Sequence, residues 1–192
     1  MIKKISQGIH KIPVDSNAYL LLLEEPILID TGPAAYKEAV NDSVKKIIPL
    51  EKIKKILLTH IHFDHCGNVD LFPDAEIYAA KKEIEDFKKN PEIAFNLKPE
   101  IIQQLKEKLT PIEELTPFLE KNNIEMIGVP GHTAGSIALF EKKQKILFSG
   151  DCLFENGIGR CDLPNSTPET MEKSLKKLKN KDYKILAPGH DY

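Results

Sequence analysis

The side chains best equipped for chemistry are concentrated in Thr59-His60-Ile61-His62-Phe63-Asp64-His65-Cys66-Gly67-Asn68. His60 and His62 are two residues apart, so in extended backbone their rings leave on the same side and can grip one ion. Asp64 and His65 follow where the chain must turn. Being adjacent, they point away from the first pair and could serve a second ion. Imidazole nitrogen and carboxylate oxygen suit zinc, and also manganese or iron(II). Four such ligands within six residues mark a metal site rather than a polar surface turn.

Elements must hold these ligands in place. Ile53-Lys54-Lys55-Ile56-Leu57-Leu58 reads as a buried strand leading into the motif. Upstream, Ile2–Ile5, Ile9–Val14 and Asn17–Leu23 read as an antiparallel meander broken at Gly8 and Asp15-Ser16. Pro26–Ile29 is a further strand ending at Asp30-Thr31-Gly32. Asp30 has two readings: a carboxylate that orients a metal-bound imidazole, or a turn-forming residue before glycine. Pro33 opens a helix with an apolar stripe at Ala35, Ala39, Val40, Val44, Ile47 and Ile48. A short helix is expected over 67–72, a strand over Glu76–Ala79 and a charged helix over Ala80–Lys89. Asn90–Pro117, interrupted by four prolines, reads as an insertion of short helices, Glu100–Leu109 among them. Segments of this kind often wall a substrate pocket. Phe87, Phe95 and Phe118 are the aromatic side chains available there, with core packing as the ordinary role of each.

The second half repeats the strand pattern. Ile124–Val129 leads into Gly131-His132, Ile137–Phe140 and Lys145–Ser149 follow, and the latter runs into Gly150-Asp151. Thr167 caps a helix that starts at Pro168 and ends at Leu178. Lys184–Ala187 then leads into Gly189-His190. His132, Asp151 and His190 each lie just past a strand end beside a glycine, as the first cluster does. Strand ends on one edge of a layered core converge on a single pocket, and glycine permits close backbone approach.

Composition excludes several roles. At 192 residues, 41% hydrophobic and 29% charged, the chain suits one soluble α/β domain spanning 1–192. Its 27 basic and 29 acidic side chains give a net charge of -2, with no general attraction to nucleic acid or anionic membrane. The lysine runs at Lys45-Lys46, Lys52–Lys55 and Lys173–Lys184 read as solvated helix faces. No run of eighteen apolar residues and no leader-like N-terminus is present, and three cysteines without Cys-x-x-Cys spacing fit a reducing, cytoplasmic setting.

Taken in order, His60-x-His62-x-Asp64-His65, Gly131-His132-Thr133-x-Gly135-Ser136, Gly150-Asp151 and Gly189-His190 resemble the metallo-β-lactamase superfamily. The resemblance implies a four-layer αββα sandwich of two mixed sheets with helices outside. Gly131–Ser136 and Gly150-Asp151-Cys152-Leu153-Phe154-x-x-Gly157-x-Gly159-Arg160 look most like the compact glyoxalase II-like hydrolases. That likeness assigns His60, His62 and His132 to one metal, Asp64, His65 and His190 to another, and Asp151 as the bridge. It implies two divalent ions, zinc first with iron or manganese also compatible. The implied reaction is hydrolysis of a small acylglutathione-type thioester by a metal-bridging hydroxide, with Asp64 and Asp151 as catalytic residues. Arg160 and Tyr192 are candidate substrate contacts, Arg160 being equally suited to pair with Asp162. Cys152 stands where threonine or alanine is common, and Asn68 replaces the second glycine of the usual pair. A mononuclear iron persulfide dioxygenase using His60, His132 and Asp151, or a lactonase, are the alternatives on the same scaffold.

Overall fold

Alternation along the strands decides the layering. The computed structural model describes residues 2–191, so Tyr192 lies outside the described residues. β1 (Lys3–Ser6), β2 (Ile9–Ile12), β3 (Ala18–Leu21) and β4 (Ile27–Ile29) form the expected antiparallel meander. β5 (Lys55–Leu57), β6 (Glu76–Ala79) and β7 (Leu109–Pro111) then add in parallel, giving a sheet ordered β1 to β7. The second sheet is ordered β11-β10-β9-β8, from β8 (Ile124–Gly128), β9 (Ile137–Glu141), β10 (Ile146–Gly150) and β11 (Ile185–Pro188).

Successive strand residues face opposite sides. Tyr19, Leu21, Ile27, Ile29 and Leu57 therefore share one core with Leu139, Ile146 and Phe148 of the second sheet. Leu20, Leu28, Ile56 and Ile77 point the other way, into a core with Val40 and Val44 of α1 (Lys37–Lys45). Phe87 of α3 (Lys81–Lys89) and Ile101 and Leu105 of α4 (Pro99–Lys108) join them. On the far side, Ala138, Phe140 and Leu147 pack with Met171 and Leu178 of α6 (Pro168–Lys179). The result is helix, sheet, sheet, helix: the αββα sandwich. Each fully buried Leu or Ile contributes roughly 1.5–3 kcal/mol, and these three apolar layers hold the sheets together.

Several local expectations shift. Pro33 precedes a 3-10 turn over Ala34–Tyr36 before α1 begins, and Ala35 and Ala39 are exposed. Three residues per turn rotates the stripe out of α-helical phase, leaving Val40, Ser43 and Val44 as the buried face of α1. A one-turn helix, α2 (Phe63–Cys66), stands where a turn was expected. The proline-broken insertion contains β7 and α4 and runs into the start of α5 (Thr116–Lys121). Pro111 sits in β7 at the edge of the sheet, where a missing N–H costs no pairing. Thr167 occupies the N-cap of α6 with Pro168 next, but its hydroxyl bonds Thr170 Oγ1 at 2.9 Å rather than a backbone N–H.

Strand direction brings the ligands together. β4 and β5 are parallel, with Ile29 opposite Leu57, so Asp30 and Thr59 emerge side by side. β9 is antiparallel to both β8 and β10, and β11 is parallel to β10. Strands β8, β10 and β11 thus run the same way, and His132, Asp151 and His190 leave from one edge.

Candidate metal centre

All seven residues expected as ligands converge. His60, His62 and His132 offer nitrogens within 4.8 Å of one another; so do the donor atoms of His60, His65 and Asp151, and those of Asp64, His65 and His190. Asp151 lies between the sets. Its Oδ1 is 3.2 Å from His65 Nε2, and its Oδ2 is 3.6 Å from His132 Nε2 and 3.4 Å from His190 Nε2. Asp64 Oδ2 is 3.2 Å from His190 Nε2 and 3.6 Å from His65 Nε2. Two ligands about 2.1 Å from one tetrahedral ion stand about 3.4 Å apart, so these spacings suit a shared ion.

Each imidazole is aimed by its other nitrogen. His60 Nδ1 lies 3.1 Å from Thr59 Oγ1, and His65 Nδ1 lies 2.9 Å from Asp30 Oδ2. His132 Nδ1 donates to the Arg160 carbonyl at 2.7 Å, and His190 Nδ1 to the Asp15 carbonyl at 3.0 Å. His62 reverses the pattern: Nε2 faces Asn165 Oδ1 at 3.4 Å and Nδ1 faces the cluster, 2.9 Å from His132 Nε2. Outer partners of this kind fix tautomer and ring orientation.

Asp30 resolves to the orienting role. It accepts from the Thr59 backbone N–H and hydroxyl, both at 2.8 Å, as well as from His65. Its φ of 55° is a left-handed conformation that aspartate tolerates better than most side chains. One carboxylate thereby supports His65 directly and His60 through Thr59. Asn68 is explained too: its Nδ2 donates to the carbonyls of Thr31 and Pro33 at 2.9 Å and of Gly32 at 3.1 Å. That amide ties the loop after β4 to the loop after α2. On the other side Gly189 must be glycine, because a Cβ there would collide with Asp151 Oδ1.

Sequence reading missed Glu83, which looks like one more charge on a charged helix. It is buried, and it accepts from Ile61 N at 2.9 Å, Thr133 Oγ1 at 2.8 Å and Gly135 N at 3.1 Å. Burial pushes its pKa up, and the three donors offset this only in part. It staples the His60–His62 loop to the His132 loop. The available signal was its position beside Ile84 and Phe87 on the inward face of α3.

Electrostatics divide the cluster. Burial, helped by neighbouring imidazolium charge, holds His60 well below the usual histidine range, and His62 is pushed down to about 4 for the same reasons. Burial also lowers His132, against the opposing pull of Asp151. These three present neutral lone pairs at pH 7. Burial pushes His65 and His190 the same way, but carboxylates prevail. Asp151, Asp64 and Asp30 raise His65 well above the usual range, and hydrogen bonds to Asp151 and Asp64 bring His190 to about 9. Asp151, despite burial, is held well below the carboxylate range by His65, His190 and His60.

The donor set fits a pair of divalent ions. His60 Nε2 is buried without a hydrogen-bond partner, and His65 Nε2 and Asp151 Oδ1, also buried, face each other at 3.2 Å without a well-formed hydrogen bond. A buried polar atom left unpaired costs about 1–3 kcal/mol, and donor atoms gathered this closely fit a site for cations. The cluster floors a cleft of about 500 Å³ lined also by Phe63, Phe95, Ile158 and Arg160. The Arg160 guanidinium is exposed and pairs with Asp162 through two contacts of 2.9 Å.

A model of the metallo-beta-lactamase superfamily matches residues 12–190, which include every one of these ligands. The chain belongs to that superfamily. Within it, the chain is 36% identical over 172 residues to the hydroxyacylglutathione hydrolase GloC of Haemophilus influenzae, covering 85% of this chain and 78% of that protein. It is 31% identical over 192 residues to the probable metallo-hydrolase YqgX of Bacillus subtilis, covering 93% and 86%. Among solved structures, TTHA1623 in a di-iron-bound form superposes with a TM-score of 0.68 at 29% identity, covering 94% of this chain and 89% of that one. Among the described residues, no helix is long and apolar enough to cross a membrane.

Proposed function

We propose that this superfamily member is a dinuclear metal-dependent hydrolase acting on a small thioester of the acylglutathione kind. The observation that carries it is the pair of three-donor sets that meet at Asp151, with the buried His60 Nε2, His65 Nε2 and Asp151 Oδ1 gathered between them. Likeness to a hydroxyacylglutathione hydrolase supports the substrate class. His60, His62 and His132 would hold one ion and Asp64, His65 and His190 the other, with Asp151 between. Zinc suits these ligands, and the di-iron form of TTHA1623 supports iron as the alternative. When bound, such a pair lowers the pKa of a water toward neutrality and polarises a carbonyl oxygen.

The chain's own contribution is orientation and proton handling. Asp151 keeps both sets in register, and the outer partners fix every ring. Asp64 is the most exposed of the seven ligands, its side chain 14% accessible, and it lines the cleft. That makes it the group suited to carry a proton off the collapsing intermediate. A thiolate leaves readily because a free thiol has a pKa near 8.5, so no strong general acid is needed. Arg160, at the cleft edge, is the candidate contact for a substrate carboxylate. The free cysteines Cys66, Cys152 and Cys161 fit a reducing, cytoplasmic setting.

The test is metal content per chain together with hydrolysis of S-lactoylglutathione. Close to two ions per chain and thioester cleavage abolished by chelation are expected. A single iron, with O₂ consumed on adding glutathione persulfide, would overturn the hydrolase in favour of a dioxygenase.

A further inference from the structure

Above the ligand cluster the cleft wall is apolar, formed by Phe63, Phe95, Phe154, Ile158 and Leu163. Among the described residues three large hydrophobic side chains are exposed, and two of them, Phe63 at 36% and Ile158 at 47%, stand on this wall. Single exposed hydrophobics are ordinary on a protein surface, but these two line one cleft and so add apolar contact area beside the ligand cluster. The third element is backbone strain. Phe95 has φ 49° and Asn96 φ 33°, a region that bulky side chains enter at a cost. The strained turn seats the Phe95 ring against His62, with centroids 5.3 Å apart.

Charge on the wall is sparse. Arg160 is the one Lys or Arg among the described lining residues, and Asp162 already matches it. Asp15 adds a negative charge rather than a positive one. Apart from Arg160 an anionic tail finds no Lys or Arg here, whereas an alkyl or aryl group finds the hydrocarbon of Phe63, Phe95 and Ile158.

We propose that this wall selects the acyl half of the substrate: an apolar chain or ring that lies across Phe63, Phe95 and Ile158 while its carbonyl faces the ligand cluster. This rests on the hydrolase reading for the orientation of the carbonyl, but not on the leaving group being a thiol.

Straight-chain carboxylates, from acetate through butyrate and hexanoate to octanoate, pair an oxygen headgroup with a growing apolar tail. Their binding to the metal-loaded protein is measured by titration calorimetry, independently of turnover. Affinity should rise about two- to fourfold for each added methylene until the wall is covered. In Phe63→Ser and Ile158→Ser, both at exposed positions, the rise should flatten while metal content and melting temperature stay unchanged. Affinity independent of chain length, or a slope unaffected in both variants, would overturn the proposal. A steep series in a protein that cleaves no thioester would uphold the apolar wall and reject only the thioester.

Discussion

The two halves of the metal centre are built on different electrostatics. His60, His62 and His132 are backed by neutral groups: a threonine hydroxyl, an asparagine amide and a backbone carbonyl. Burial then leaves these rings as neutral donors. Around His65 and His190 the neighbours are carboxylates, Asp30, Asp64 and Asp151, which raise both histidines against burial. The first set therefore offers an ion neutral lone pairs at once, whereas in the second an arriving ion must displace protons from His65 and His190 while the carboxylates supply negative charge. The lesson is that one fold edge gathers two unlike donor sets, with Asp151 between them.

Removing that residue should have the largest effect. Asp151→Ala is expected to bring metal content below one ion per chain and lower turnover more than a hundredfold, beyond the roughly 10- to 100-fold that outer partners cost. Elemental analysis and steady-state rates check it; two ions retained would break the shared-ligand assignment. Single removals should separate the halves. His132→Ala and His190→Ala are each expected to retain about one ion, lost from opposite sets, and cobalt(II) absorption spectra should tell the two remaining sites apart.

Asp30→Asn comes next. It keeps size and tolerates the left-handed backbone, but removes the charge behind His65. Metal affinity should fall about 10- to 100-fold, chiefly at the carboxylate-rich subsite, read by competition with a chelator of known affinity. Glu83→Ala should act on the other half, because its three bonds tie the His60–His62 loop to the His132 loop. Leaving the Ile61 and Gly135 N–H groups buried and unpaired costs about 1–3 kcal/mol each at most, seen as reduced thermal stability and a loosened first subsite. Glu83→Gln, which retains an acceptor, should recover part of both.

The smallest effect is expected at Arg160. Its contribution to His132 comes from the backbone carbonyl, which any residue supplies, and its side chain is exposed. Arg160→Ala should raise KM for an acidic thioester less than about fivefold, as for other exposed pairs. A larger rise with kcat unchanged would establish it as a substrate contact.

How much of this was legible depended on where each signal resides. His60, His62, Asp64 and His65 could be read because their types and spacing are themselves the chemistry. His132, Asp151 and His190 were readable through their position after strands and beside glycines. The layering was legible only through the family resemblance, and strand alternation in the structure accounts for it. Partners that act through the backbone left no trace, since the Asp15 and Arg160 carbonyls would be present whatever the side chains. Glu83 was hidden by composition: among five charged residues in Lys81–Asp86 its inward turn shows only once the phase of α3 is known. Asp30 had two defensible readings, and only the parallel register of β4 and β5 puts it beside Thr59. The exposure of Ala35 and Ala39 depended on a 3-10 turn that an α-helical stripe does not anticipate.

The outer partners of the five histidines have a further consequence. Each ring already has its orientation set by a hydroxyl, amide, carboxylate or carbonyl of the fold. The rotamer entropy of aligning them, roughly 1 kcal/mol per side chain, is therefore taken up during folding and does not oppose the arrival of an ion. Loading and folding become separable events, unlike in small domains that collapse around their metal. A chain built this way is expected to exchange one kind of ion for another without unfolding, which circular dichroism recorded during metal replacement would check.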